Sequence, residues 1–551
     1  MRTRIALVVL ATLLATRPDA RASAARVGAV ASEHPFAAAA GVETLGAGGS
    51  VVDAALAAAA VVCVVHASSC GIGGGGFALV HTADGTDVAL DYRERAPARA
   101  TADRFRVDGK PDPTLTRRGG LAVAVPGEVA GFAALHRRFG RLPLSEVLRP
   151  AIRLAHDGFR LGDAPHLVRE IERSRDLLAA DPGLRAIFLA DGGVPGPDFR
   201  IVQPDLARTL AAVGARGEAA FYAGAVATAI AATVAERRGV LDAADLARYR
   251  VRWRRPLAGR FRGRRVVTFP PPGSGGVLLE ALGILSRDDL GALGWGSPIA
   301  LHLLAGAMAQ GFADRARWYG DPDFAPVPVP ALLAVPRLAA LRAGLRTTSV
   351  AAPRPTLVVD HGTAHVSAVD GAGNAAAITT TINTSFGAGI LVPGTGIVLN
   401  DEMDDFALAP DVPNVYGLTG AAANAIAPGK RPQSSMSPTI VLDGRRPELV
   451  VGGSGGPTII SAVFQVVLGV TAGELSLRDA VEAPRIHDQA LPVLAVEAGI
   501  DPATRAVLER IGHRLTVMPA IGAVSAVGLA RDGTAVAAGD PRKDAGAART
   551  P

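Results

Sequence analysis

The chain is 551 residues long, 49% apolar and 20% charged, with a formal net charge of +6. That is enough apolar sequence for a large core, and at about 150 residues per domain it allows two to four folding units. With 64 glycines and 39 prolines it stays below the roughly 25–30% that marks low-complexity sequence, and lysine occurs only at 110, 430 and 543 with no dense basic run, which argues against a nucleic-acid partner.

The first residues read as a signal peptide, residues 1–24. Arg2 and Arg4 give a positive start, residues 5–15 are an apolar run of eleven, and Ala20, Ala22 and Ala24 supply small residues for cleavage. Eleven residues fall short of the ~20 needed to span a bilayer. An exported protein, periplasmic or secreted, is expected, and loss of the leader lowers the net charge to about +3. The longest later apolar run, residues 54–65, lies between Asp53 and His66 and reads as a buried helix, so no membrane association is expected after leader removal. Export permits a disulfide between Cys63 and Cys70, the only cysteines, but a core of this size does not need one; a bridge and two buried thiols both stay open.

Residues 37–65 carry helical periodicity broken at the Gly46-Ala-Gly-Gly turn. A glycine turn at 71–76 leads into a strand at 77–82, with a hairpin partner at 86–92. Residues 128–248 are mostly helical. A strand at 266–269, a turn at 270–276 and a helix at 277–285 follow. Pro322, Pro326, Pro328, Pro330, Pro336, Pro353 and Pro355 then mark a stretch expected to lack long regular elements. After Thr363 strands dominate, at 364–369, 377–382, 439–442 and 449–452, with helices at 459–470, 477–481 and 502–510. Strands with helices grouped before and after them predict an α+β fold of stacked sheets between helical layers.

Three motifs carry candidate chemistry. Gly71-x-Gly-x-x-Gly76 matches a dinucleotide fingerprint in the wrong context, after a helix and before a strand, so it reads as a close backbone turn. Gly452-Gly-Ser-Gly-Gly456 matches a nucleophile elbow, with His487 and His513 downstream as possible partners of Ser454, although Pro457 removes a helical N–H and no HGGG-like loop is present. The third is the Gly362–Thr363 bond at the start of the strand-rich half. Were it cut, Thr363 would carry a free α-amine, ordinarily of pKa about 7.7–8.0, beside its own Oγ, so that nucleophile and base share one residue. By strand propensity alone Thr363 is a strand-initiating threonine.

The run Thr363-Ala-His-Val-Ser367, with Thr381-Ile-Asn383, Asn400-Asp-Glu-Met-Asp-Asp-Phe406, Pro413-Asn-Val-Tyr-Gly417, Arg431-Pro-Gln-Ser-Ser-Met-Ser-Pro438 and Gly455-Gly456, resembles the small subunit of γ-glutamyltransferases (glutathione hydrolases), which are N-terminal nucleophile hydrolases. Residues 73–77, Asp91-Tyr-Arg-Glu-Arg-Ala-Pro97, residues 125–132 and 270–276 resemble that family's large subunit in the same order, so the likeness covers about residues 30–545.

The resemblance implies a four-layer αββα sandwich and a precursor that cuts itself between Gly362 and Thr363 into a large chain (25–362) and a small chain (363–551), which stay together as a heterodimer. It implies Thr363 as nucleophile, the Thr381 hydroxyl beside it, and the N–H groups of Gly455 and Gly456 as oxyanion hole. Arg93, Ser434 and Ser435 are expected to hold the α-carboxylate of a γ-glutamyl donor, and Asn383, Glu402 and Asp405 its α-ammonium. Tyr416 is expected to be a lid over the pocket; Asp404 and His365 are expected to be structural. Donors would be glutathione-like and acceptors water, amino acids or dipeptides, with no cofactor and no metal. Two departures stand out: Gln433 where leucine is usual, and Asp401 where asparagine is usual. Rival readings are a related acylase (cephalosporin acylase or poly-γ-glutamate hydrolase), a Ser454 α/β-hydrolase, and a non-enzymatic binding protein.

Overall fold

In the computed structural model, which describes residues 27–345, 362–490 and 493–550, the alternating runs form two central antiparallel sheets. The first joins β1 (Gly28–Ser32), β2 (Gly75–His81), β3 (Asp87–Tyr92), β4 (Arg252–Arg254), β7 (Ala364–Asp370), β8 (Ala375–Thr381) and β13 (Gly546–Arg549) in the order β13-β1-β7-β8-β2-β3-β4. The second joins β5 (Leu257–Phe261), β6 (Arg264–Thr268), β9 (Thr439–Asp443), β10 (Arg446–Ser454), β11 (Ala523–Leu529) and β12 (Ala535–Gly539) in the order β12-β11-β10-β9-β6-β5. The leader expected at 1–24 lies outside the described residues, as do Pro353 and Pro355.

Side-chain alternation decides how the sheets stack. Val30, Ala78, Val80, Val366 and Ile378 point into one core, where they meet α1 (Pro35–Gly46) and α2 (Val51–Val65). Their neighbours Ala29, Ala31, Phe77, Leu79 and Ala377 point the other way, into a core shared with the second sheet and with α3 (Gly275–Ile284), α4 (Pro298–Trp318) and α5 (Thr458–Thr471). Both faces of the first sheet are therefore covered, and β2, β7 and β8 are buried along their whole length. This is the αββα sandwich expected from the sequence.

Helix α2 shows why its run is so apolar: every residue in it is buried, and a helix apolar all round belongs inside. Its one charge, Asp53, forms a capping box with Ser50 and also accepts the N–H groups of Arg141 and Leu142. At its C-terminal end Cys63 and Cys70 are joined in a disulfide, which settles the alternatives left open above. The proline-marked stretch is less irregular than expected. A ten-residue helix, Val335–Gly344, forms there because Pro336 sits in its first turn, where a missing N–H costs nothing.

Candidate active site

Register places the nucleophile candidate. β7 and β8 pair Ala364 with Thr380, and one step further Thr363 faces Thr381, with 3.0 Å between their hydroxyl oxygens. Thr381 Oγ1 accepts the N–H of Asn383 at 2.9 Å, which orients that hydroxyl toward Thr363. Thr363 is held on the main chain as well. Its N–H donates to Ser69 O at 2.9 Å, from the turn closed by the disulfide, and its C=O accepts from Lys543 Nζ at 2.8 Å. Lys543 is buried and paired with the equally buried Glu33 at 2.7 Å. Thr363 has φ 111°, a region that a β-branched residue rarely adopts, and such strain is worth about 1–3 kcal/mol. Gly362 is enclosed so closely that a Cβ there would lie 1.9 Å from Asn383 O.

Gly455 and Gly456 follow β10 with φ 118° and 57°, values suited to glycine, and neither N–H donates to another group among the described residues. Tyr416 closes over this turn. Its hydroxyl donates to Asn383, 3.0 Å from Oδ1, and its ring leaves only 2.7 Å between Cε1 and a hypothetical Cβ on Gly456. The expected lid, oxyanion donors and Asn383 thus share one wall.

The charged pocket is built from the end of β3 and the turn Glu402–Asp405. Arg93 is fully buried, with Nη1 2.6 Å from Glu402 and Nη2 2.5 Å from Asp405. Glu94 adds a third carboxylate at 3.6 Å. One guanidinium cannot neutralise three carboxylates, and burial pushes the Glu94 carboxyl up to about 7 and that of Glu402 well above its ordinary range. A surplus of acidic groups in a dry site suits an ammonium ligand. Ser434 and Ser435 directly follow Gln433, whose C=O accepts from Arg93 Nη2 at 3.2 Å; Ser435 Oγ accepts from Arg315 Nη2 at 3.2 Å.

The secondary candidates separate cleanly. Asp404 is turned to Thr116, Arg117 and the N–H of Val415, a packing role. His365 is bonded to Thr379 and Ser367, and burial pushes its pKa down to about 3, so it is a neutral core histidine. Ser454 is buried, while His487 is bonded to Ser461 and Gln489 and His513 to His302; among the described residues no histidine is bonded to the elbow serine. His34, His66 and Asp544 cluster within 4.8 Å, but His34 Nδ1 accepts the Phe36 N–H and its Nε2 bonds Asp163 O, leaving no lone pair for a metal. Sequence reasoning missed Lys543, Glu33 and Arg315. All three act across long separations, and no local pattern announces them.

A family model described as gamma-glutamyltranspeptidase matches residues 37–550. The chain belongs to the γ-glutamyltranspeptidase family. Within that family it is 39% identical over 531 residues to the "Glutathione hydrolase proenzyme" of Escherichia coli, covering 94% of this chain and 91% of that one. It is 38% identical over 528 residues to the "Acylase ACY 1 proenzyme" of Pseudomonas sp. strain SE83, covering 94% and 92%. Among solved structures, the cephalosporin acylase from Bacillus halodurans superposes with a TM-score of 0.85 at 28% identity, covering 95% of this chain and 96% of that one. The γ-glutamyltranspeptidase family and this architecture identify an enzyme of the N-terminal nucleophile type.

Proposed function

We propose that the protein is an exported precursor that cuts itself between Gly362 and Thr363 and then acts as a γ-glutamyltransferase and glutathione hydrolase. The observation that supports the reading is the contact of Thr363 with Thr381, whose hydroxyl also holds Asn383, together with Arg93 set between Glu402 and Asp405 and the Gln433 carbonyl that leads into Ser434 and Ser435. In the uncut chain, Thr363 Oγ attacks the Gly362 carbonyl, the acyl group moves from N to O, and water hydrolyses the ester. The strained φ of Thr363 exists only while Gly362 is attached, so scission relieves it.

The freed α-amine then serves as base. It takes the Thr363 hydroxyl proton as Oγ adds to the γ-carbonyl of the donor, and Gly455 and Gly456 donate to the resulting oxyanion. Collapse returns the proton to the departing amine and leaves a γ-glutamyl ester. Water or the amine of an amino acid or dipeptide resolves it, releasing glutamate or a new γ-glutamyl product. Thr363→Ala tests both roles: a single uncut, inactive chain on a denaturing gel is expected, and two fragments of wild-type size would overturn the proposal.

The acylase relatives favour a second reading, the same machinery with another acyl group. Asn383, Glu402 and Asp405 argue for a free ammonium on the donor. Turnover of γ-glutamyl-p-nitroanilide well above that of glutaryl-p-nitroanilide, which lacks the ammonium, is expected; the reverse order would favour the acylase.

A further inference from the structure

Tyr416 is tied to the pocket by its hydroxyl, and a second tie holds the same residue from behind. While the hydroxyl donates to Asn383, the backbone C=O of Tyr416 accepts from Gln489 Nε2 at 3.0 Å. Gln489 is buried and lies 73 residues further along the chain, beyond α5. Its Oε1 is bonded to His487 Nε2 at 2.8 Å, and His487 Nδ1 to Ser461 Oγ of α5 at 2.7 Å. His487 and Ser461 are fully buried. The base of this row is firm. Gln465, one turn after Ser461 in α5, donates to Ile486 O at 2.8 Å and accepts the Ile486 N–H at 3.0 Å, which clamps the short strand Ile486–His487 to the helix.

The position of each proton follows from the end of the row. A carbonyl only accepts, so Gln489 turns its Nε2–H to Tyr416 and its Oε1 must accept from His487. His487 therefore carries its proton on Nε2, and its bare Nδ1 accepts the Ser461 hydroxyl. Burial pushes the imidazole down to about 4, so it stays neutral and the row keeps this sense at neutral pH. A buried row with each of these donors and acceptors met favours one arrangement, because breaking any bond strands polar groups away from water.

We propose that Gln489, oriented by His487 and Ser461, is a positioning residue that latches the Tyr416 lid in its closed place over the donor pocket. The inference rests on the γ-glutamyl reading above and names what holds that reading's lid. With the latch made, the ring stays against Gly456 and the hydroxyl stays at Asn383. With it broken, the loop keeps the bonds of its other side, Val415 N–H to Asp404 and Asn414 Nδ2 to Asp405, and the closed form becomes a smaller share of the population. A donor held under the closed lid then binds more weakly in proportion, while the chemistry beneath a closed lid is unchanged.

Gln489→Met keeps the bulk of the side chain and removes the bond. KM for γ-glutamyl-p-nitroanilide should rise roughly 5- to 30-fold, with kcat within about threefold of wild type. Gln489→Asn, one methylene too short to span from His487 to Tyr416, should raise KM likewise, and it serves alone if the methionine variant fails to mature. The deciding comparison is made on Tyr416→Ala, which leaves no ring to hold. In that background the Gln489 substitutions should change KM by less than about twofold, because two residues acting as one unit are not additive. A KM rise of equal size with and without the Tyr416 ring, no rise in either background, or a loss confined to kcat would give Gln489 a merely structural role and overturn the inference while the γ-glutamyl reading stands. A wild-type enzyme that does not turn over γ-glutamyl-p-nitroanilide would overturn that reading, and the inference with it.

Discussion

Thr363 is gripped at three points: its hydroxyl by Thr381, its N–H by Ser69 O and its carbonyl by Lys543. The first was legible only through the family resemblance; the register of β7 and β8 supplies its physical cause. Lys543 was not, since it lies 180 residues from Thr363 and a lone lysine has no pattern to betray it. Physically it is the stronger restraint, a charge-assisted bond in a site closed to water, worth about 1.5–3 kcal/mol. Lys543→Met should therefore lower kcat by roughly 10- to 100-fold, the same energy expressed as rate. KM for γ-glutamyl-p-nitroanilide should stay within a few-fold, because Lys543 touches the nucleophile and not the charged pocket. Steady-state kinetics on the processed enzyme checks this; a change confined to KM would contradict it.

At the level of elements, apolar runs and turn signals located β2, β3 and β6 to β10 with α1, α2, α3 and α5, whereas β1, β4, β5, β11, β12, β13 and α4 were not read, because strands buried on both faces or at sheet edges lack a clean period-two signal. The connections that carry the pocket gave none either. The turn Glu402–Asp405 is buried by contacts from distant loops, and its carboxylates acquire meaning only beside Arg93. Asp401 enters that turn and shows the cost. It accepts the Thr384 N–H at 2.9 Å and the Thr384 hydroxyl at 2.6 Å, with the half-exposed Arg118 3.7 Å away, and burial still pushes it from 3.8 up to about 7. The folded state thus holds a proton that the unfolded chain has lost between about pH 4 and 7, so this residue lowers stability progressively as pH rises through that window. Asp401→Asn removes the titration. The variant should gain roughly 1–2 kcal/mol over wild type at pH 8, below the ceiling of about 4 kcal/mol for a change of this size, and little or nothing at pH 4. Denaturant unfolding at both pH values measures the difference; a gain independent of pH would show that Asp401 is ionised throughout.

For the molecule as a whole, the strand order constrains what self-cleavage can do. In the first sheet β1, β2, β3 and β4 precede the Gly362–Thr363 bond while β7, β8 and β13 follow it, and the order β13-β1-β7-β8-β2-β3-β4 makes neighbours of the two sets three times. The second sheet adds a fourth junction, where β6 pairs with β9 along Arg265 to Thr268 and Leu442 to Thr439. Each junction is a ladder of backbone hydrogen bonds, and both cores draw side chains from both sides of the cut. Separating the pieces would expose apolar faces and unpaired strand edges on each, so neither has an independent core. The processed protein should therefore elute as one species under native conditions although a denaturing gel resolves two chains. It should also lose both chains' structure in a single cooperative transition in urea. Sedimentation or size exclusion through the urea transition decides the point: a window in which folded small chain separates from folded large chain would mean that the two segments do not share their cores.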